Sequence, residues 1–96
     1  MLFTWDPEKS EANLRERGLD FGFTTLVFDG ITLEREDHRK AYGERRVAAI
    51  GVADGLHLTV VFTDREGPEG VVVRRIISAR RSNRRERQAY RKAQQG

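Results

Sequence analysis

The sequence contains no cysteine. That excludes disulfides, thiol catalysis and any sulfur-ligated metal site. Histidine is nearly absent as well, with only His38 and His57. Two histidines without cysteine or a clustered carboxylate partner give no metal-ligand spacing, so neither a metal nor another cofactor is expected. No apolar run approaches the ~20 residues that a bilayer span requires. The opening Met1-Leu2-Phe3-Thr4-Trp5-Asp6-Pro7 has neither the basic nor the long apolar region of a secretory signal. The expectation is a soluble cytoplasmic protein with no membrane partner. Its 96 residues suit one domain, 1–96, too small to enclose a large cofactor.

What the chain has in excess is arginine, unevenly placed. Arg74 to Lys92 holds nine basic residues and one acidic residue, Glu86; the remainder holds nine basic and fourteen acidic. The formal charge of +3 is therefore the sum of about +8 in this segment and −5 elsewhere. Arginine suits bidentate phosphate contacts, and such a field attracts polyanions. The same residues would equally suit a solvated helix face or a partner-binding arm.

Met1 to Trp5 alternates as a first strand. Asp6-Pro7 starts a helix, with aspartate as N-cap and proline at the first helical position, and Gly18 ends it after Arg17. Asp20 caps a shorter helix holding Phe23, Leu26, Val27 and Phe28, ended by Asp29-Gly30. Ile31 to Glu36 reads as an edge strand and Arg45 to Val52 as the next. The turn Ala53-Asp54-Gly55 leads into Leu56 to Thr63, and an Asp-Gly pair between apolar runs is a strong hairpin signal. A loop from Asp64 to Gly70 precedes the strand Val71 to Ala79. Asn83, with Glu86 three residues on, forms a capping box for a last helix, Arg84 to Gln94. Ala89, Tyr90 and Ala93 are its only apolar stripe. The order β-α-α-β-β-β-β-α is an α+β domain.

Centring the first hairpin on Asp54 sets Ala48 opposite Thr59 and Arg46 opposite Val61. Centring the second on Gly67 sets Thr59 near Arg75 and Val61 near Val73. Val47, Ala49, Leu58, Val60, Phe62, Val72 and Ile76 then share a core face. Arg46, Ala48, His57, Thr59, Val61, Val73 and Arg75 share the other, open to ligand. A one-residue bulge in either hairpin would reverse the assignment.

Trp5-Asp6-Pro7-Glu8-Lys9, Asn13, Gly18-Leu19-Asp20-Phe21 and Val27-Phe28-Asp29 resemble the opening of the BrnT toxin family. Tyr42-Gly43-Glu44-Arg45 and Ala49-Ile50-Gly51 resemble its middle; Arg75 to Arg80 and Arg84-Arg85-Glu86-Arg87 resemble its end. The family often shows histidine where this chain has Arg17. The resemblance implies a RelE-like antiparallel sheet with two N-terminal helices and one C-terminal helix. It further implies a ribonuclease that arrests translation, acting on RNA that is free or on the ribosome. A BrnA-like antitoxin would neutralise it in a hetero-oligomer, with operator DNA bound only through that complex. Such an enzyme works with basic residues arrayed on a sheet. The expected catalytic residues are Arg65, Arg75 and Arg80, with Arg46, His57, Arg84 and Arg85 binding RNA and no metal ligands. Arg65 and Arg80 both fall in family motifs, yet about ten residues of strand, ~30 Å, separate them. The alternative is a non-catalytic module binding RNA, the ribosome or DNA through the same arginines.

Overall fold

The computed structural model describes residues 1–38, 41 and 43–95. Five strands form one sheet: β1 (Leu2–Thr4), β2 (Leu33–Glu36), β3 (Val47–Ala53), β4 (Leu56–Glu66) and β5 (Val72–Arg81), in the order β1-β5-β4-β3-β2. Helices α1 (Pro7–Arg17) and α2 (Phe21–Thr24) follow β1, and α3 (Arg84–Gln94) follows β5. Two 3-10 turns, Thr25–Asp29 and Pro68–Gly70, complete the path, so the second helix is a single α-turn continued by a tighter one. The mixed α+β class holds. Among the described residues no helix is long and apolar enough to cross a membrane.

The helix ends follow from local chemistry. Asp6 accepts a hydrogen bond from the Glu8 N–H at 2.9 Å, and Gly18 closes α1 at φ 73° with its N–H on the Leu14 carbonyl. The buried side of α1 is polar rather than apolar. Ser10 Oγ accepts from the Phe21 N–H at 2.9 Å, and Asn13 Nδ2 donates to the Leu19 carbonyl at 2.7 Å. These two bonds fix α1 to α2 and carry Phe21 and Val27 into the core. There they meet Leu58, Val60 and Phe62 of β4, Ala49 of β3 and Ile76 and Ala79 of β5. Phe28 stacks on Phe3 and meets Phe62 edge-on, with ring centroids 5.6 and 5.3 Å apart.

The sheet corrects the antiparallel expectation at one edge: β1 runs parallel to β5, with Leu2, Phe3 and Thr4 beside Val73, Arg74 and Arg75. No tight turn joins these strands, so nothing imposes the antiparallel sense. The parallel sense lets α1 continue beyond β1 beside the upper half of β5, where Arg17 Nη1 donates to the Ala79 carbonyl at 3.0 Å.

Both hairpin registers also differ from expectation. Asp54 and Gly55 have φ of 49° and 78°, a two-residue turn, so Ala48 faces Val61 and Ile50 faces Thr59. The strand β4 runs on to Glu66, so Thr63 faces Arg75 and Arg65 faces Val73. A bulge between Val61 and Phe62 adds Ile77 to β5. Above the bulge, Ser78 and Arg80 join the face of Ala48, Thr59 and Val61; below it, Arg75 lies on that face as well.

That second face is only partly open. The helix α3 lies over one end of it, with Tyr90 edge-on to His57 at 5.7 Å and its hydroxyl donating to the Ile31 carbonyl at 2.8 Å. Of the expected stripe only Tyr90 anchors α3, because Ala89 and Ala93 are exposed. Its buried residue is Glu86.

Gly51 marks where β3 and the helical layer come closest. A Cβ there would lie 2.9 Å from Val27 Cβ and 3.3 Å from the Val27 carbonyl oxygen. Gly51→Ala is expected to cost about 1–3 kcal/mol by overpacking. Thermal unfolding should show it as a drop of about 4–8 °C per kcal/mol, whereas an unchanged midpoint would mean that the layers separate easily.

Candidate active site

A cavity of about 650 Å³ opens on the part of the sheet that α3 leaves uncovered. Ala48, Val61 and Ser78 form its floor as one cross-strand row, continued by Arg35 of β2. These side chains are small on the three central strands, so the floor is recessed. The walls are charged: Arg17 at the end of α1, Glu36, Asp37 and His38 at the end of β2, and Arg80 with Glu86 of the first turn of α3.

Arg80 is held most firmly. Its Nη1 and Nη2 donate to the two Glu86 carboxylate oxygens at 2.7 and 2.8 Å. Glu86 Oε1 also accepts from the Asn83 N–H at 2.8 Å, while Asn83 Oδ1 accepts from the Glu86 N–H, completing the capping box. Glu86 is 5% exposed. Hydrogen bonding from Arg80 outweighs the cost of burial and, aided by the Asn83 N–H and Thr59, lowers its pKa to about 2. Across the cavity, His38 Nε2 lies 3.1 Å from Glu36 Oε2. Arg45 pairs with the other oxygen of Glu36, and that hydrogen bond, with the charges of Arg45 and His38, holds the Glu36 carboxyl below its ordinary range.

The expected site residues divide around this cavity. Arg80 lines it. Arg75, between Thr63 and Thr4, shares the face but lies below the floor row. Arg46 sits beside β3 at the same level and pairs with Glu44 at 3.3 Å. Arg65 pairs with Glu44 at 3.0 Å, and this hydrogen bond is the main reason the Glu44 carboxyl is held low. Along β4, Arg65 is six residues from Thr59, the partner of Arg80. That is ~20 Å of strand, shorter than the expected ~30 Å but still too long for one compact site. His57 stands under Tyr90 at the far end of the face. Arg84 and Arg85 are exposed on the first turn of α3. Arg85 also lines a smaller cleft of about 70 Å³ that shares Arg35 and Glu86 with the main cavity.

Sequence reasoning missed Arg17, Arg35, Glu36, Asp37 and His38 as residues lining the cavity, and assigned Glu86 only to helix capping. Arg35 was legible in principle. An alternating β2 paired with β3 puts one of its charged side chains on the face of Ala48. Arg17 and His38 carry no such signal, since each enters from outside the sheet.

A family model described as "Ribonuclease toxin, BrnT, of type II toxin-antitoxin system" matches residues 5–86. Every residue lining the cavity falls within that segment. No curated protein matches the chain.

Proposed function

This chain belongs to the BrnT family of ribonuclease toxins of type II toxin-antitoxin systems, and from that premise we propose that residues 1–96 form one RelE-like domain that cleaves RNA in the Arg80 cavity, without a metal. Cleavage of this kind depletes translatable RNA and inhibits translation. A BrnA-like antitoxin neutralises the enzyme in a cytoplasmic hetero-oligomer, and operator DNA is contacted through that complex.

The observation that carries the reading is that Arg17, Arg35, Arg80 and His38 border one cavity over a floor of Ala48, Val61 and Ser78. In cleavage by the RNA 2′-hydroxyl, the bond from O2′ to phosphorus forms while that to O5′ breaks. The 2′-hydroxyl loses a proton, O5′ gains one, and negative charge grows on the non-bridging oxygens. Arg80, fixed in direction by Glu86, with Arg35 and Arg17, supplies donors for those oxygens. His38 is the imidazole of the cavity and moves the protons, oriented by Glu36. Arg75 and Arg46, on the same face below, bind the flanking strand, as do Arg84 and Arg85 on the α3 side. Arg65, tied to Glu44, contacts RNA outside the reacting centre. Metal independence rests on the arginines, which can neutralise the charge growing on the phosphate oxygens without an ion.

Purified protein is expected to cleave single-stranded RNA at an undiminished rate in excess chelator. An absolute requirement for a divalent ion would overturn the arginine and histidine mechanism. One observation favours a second reading, a non-catalytic RNA- or ribosome-binding module. Arg84, Arg85 and Arg91 are exposed and form no ion pair with any described residue. Tight RNA binding with no cleavage by folded protein would select that reading.

The two histidines separate in the same assay. His38→Ala is expected to slow cleavage about 10²-fold or more, the usual worth of a general acid or base. His57→Ala, beyond the cavity, should leave the rate within a few-fold. The reverse ranking would move proton transfer to the α3 end of the face.

A further inference from the structure

We infer that Glu86 is a positioning residue of the cleavage site, which aims the Arg80 guanidinium into the cavity and so makes the first turn of α3 part of the ribonuclease machinery. The inference rests on the reading of the cavity as the cleavage site.

The capping box alone does not explain Glu86. Its demand on the third helical residue is one side-chain oxygen accepting the N-cap N–H, and glutamine supplies that as well as glutamate. Glutamine would also leave no charge at a position that is 5% exposed. A buried carboxylate is costly unless it is paired. Here the second oxygen, and the charge itself, are directed at Arg80. Other arginine pairs of the chain use more exposed carboxylates: the Glu44 side chain, paired with Arg65, is 28% exposed, and that of Glu36, paired with Arg45, is 40% exposed. The Glu86 side chain is 6% exposed, while that of Arg80 remains 41% exposed. The immobile partner is thus the carboxylate, and the partner that reaches toward solvent is the cation.

The surroundings of Glu86 hold it still. Thr59 and Ser82 are both buried and share a hydrogen bond of 2.8 Å, and Arg87 Nη1 donates to the Ser82 carbonyl at 2.7 Å. The Ser82 N–H in turn donates to the His57 carbonyl at 2.9 Å. Thr59 is also the cross-strand partner of Arg80. The sheet therefore fixes the stem of Arg80, and α3 fixes its head. An arginine otherwise carries several freely rotating bonds, and a misplacement of about 1 Å in a catalytic contact can cost ~10²-fold.

The test is single-turnover cleavage of a labelled single-stranded RNA oligonucleotide by wild type, Glu86→Gln, Arg80→Ala and the double variant. Glu86→Gln keeps the capping oxygen, so α3 helicity by circular dichroism and amide protection at Asn83 should persist. Its maximal rate is expected to fall about 10- to 100-fold with KM changed less than about three-fold. In the Arg80→Ala background the same change should have no further effect on rate, because the residue it acts through is gone. The double variant also removes the unpaired buried charge, so it is the better-folded reference for the loss of Arg80. Glu86→Gln cleaving within two-fold of wild type, or a loss that multiplies with that of Arg80→Ala, would overturn the inference while leaving the cavity as the site. Full activity of the double variant would overturn both.

Discussion

Arg80→Ala is expected to slow RNA cleavage about 10²–10³-fold, the loss that follows removal of one preorganised donor to a developing negative charge. Expression of the wild-type chain is expected to arrest growth, and expression of the variant to permit it. Stability should fall as well. The Glu86 carboxylate, 5% exposed, would lose the guanidinium that hydrogen-bonds both its oxygens. Breaking a buried pair by deleting one partner costs about 3–5 kcal/mol, reduced here by whatever proton Glu86 takes up. The two effects come apart in the double variant Arg80→Ala/Glu86→Gln, which should regain much of the stability and none of the activity. Arg65→Ala supplies the contrast. Its pair with Glu44 is exposed and screened by solvent, so it contributes little, and ~20 Å of strand lies between it and Arg80. Its cleavage rate should stay within a few-fold of wild type. An Arg80→Ala protein that is folded and fully active would place the reaction elsewhere on the sheet.

The parts of this fold that could be read from the sequence are those decided within a few neighbouring residues. Asp6-Pro7 and Gly18 bound α1, Asn83 and Glu86 start α3, and Asp54-Gly55 closes the β3–β4 hairpin. The alternation of β3 and β4 likewise separated Val47, Ala49, Leu58, Val60 and Phe62 from the opposite face. Non-local decisions were hidden. The register of β3 against β4 lies two residues from the expected one, with Val61 rather than Thr59 facing Ala48, and a shift of two leaves unchanged which residues share a face. The bulge at Ile77 has a larger effect, because it places Arg80 on the cavity side although the period of β5 counted from Arg75 would turn it to the core. No residue type at Ile76-Ile77-Ser78 announces that extra residue. The cavity was legible to the same degree. Arg80, an expected catalytic residue, lines it, whereas Arg17 and His38 reach it from a helix end and a strand end whose positions only the tertiary structure sets. The parallel pairing of β1 belongs with these, since it depends on where α1 must run.

Acid should weaken the protein through Glu86 more than through its exposed carboxylates. The folded-state pKa of Glu86 is lowered to about 2 from an ordinary 4.5, chiefly by its hydrogen bonds from Arg80. A carboxylate whose pKa is depressed by folding stabilises the native state fully above the unfolded-state value. That contribution is lost as pH falls from about 4.5 toward 2, because the unfolded chain takes up a proton that the folded chain refuses. Each pH unit of the difference corresponds to ~1.4 kcal/mol, so the whole contribution is on the order of 3 kcal/mol. Glu36 and Glu44 are shifted in the same direction by Arg45 and Arg65, but their pairs are exposed and screened by solvent, so they add little. The expected result is a stability difference between wild type and Glu86→Gln that is largest near pH 6 and shrinks steadily below pH 4.5. Urea unfolding at pH 6, 4.5, 3.5 and 2.5 measures it, with 1 M salt as a second condition. Salt should leave most of the difference in place, since the carboxylate is enclosed by Asn83, Thr59 and Arg80 rather than by water. No difference at any pH would mean that Glu86 stabilises α3 through its capping oxygen alone, which glutamine also supplies, and that its charge does nothing for the pair with Arg80.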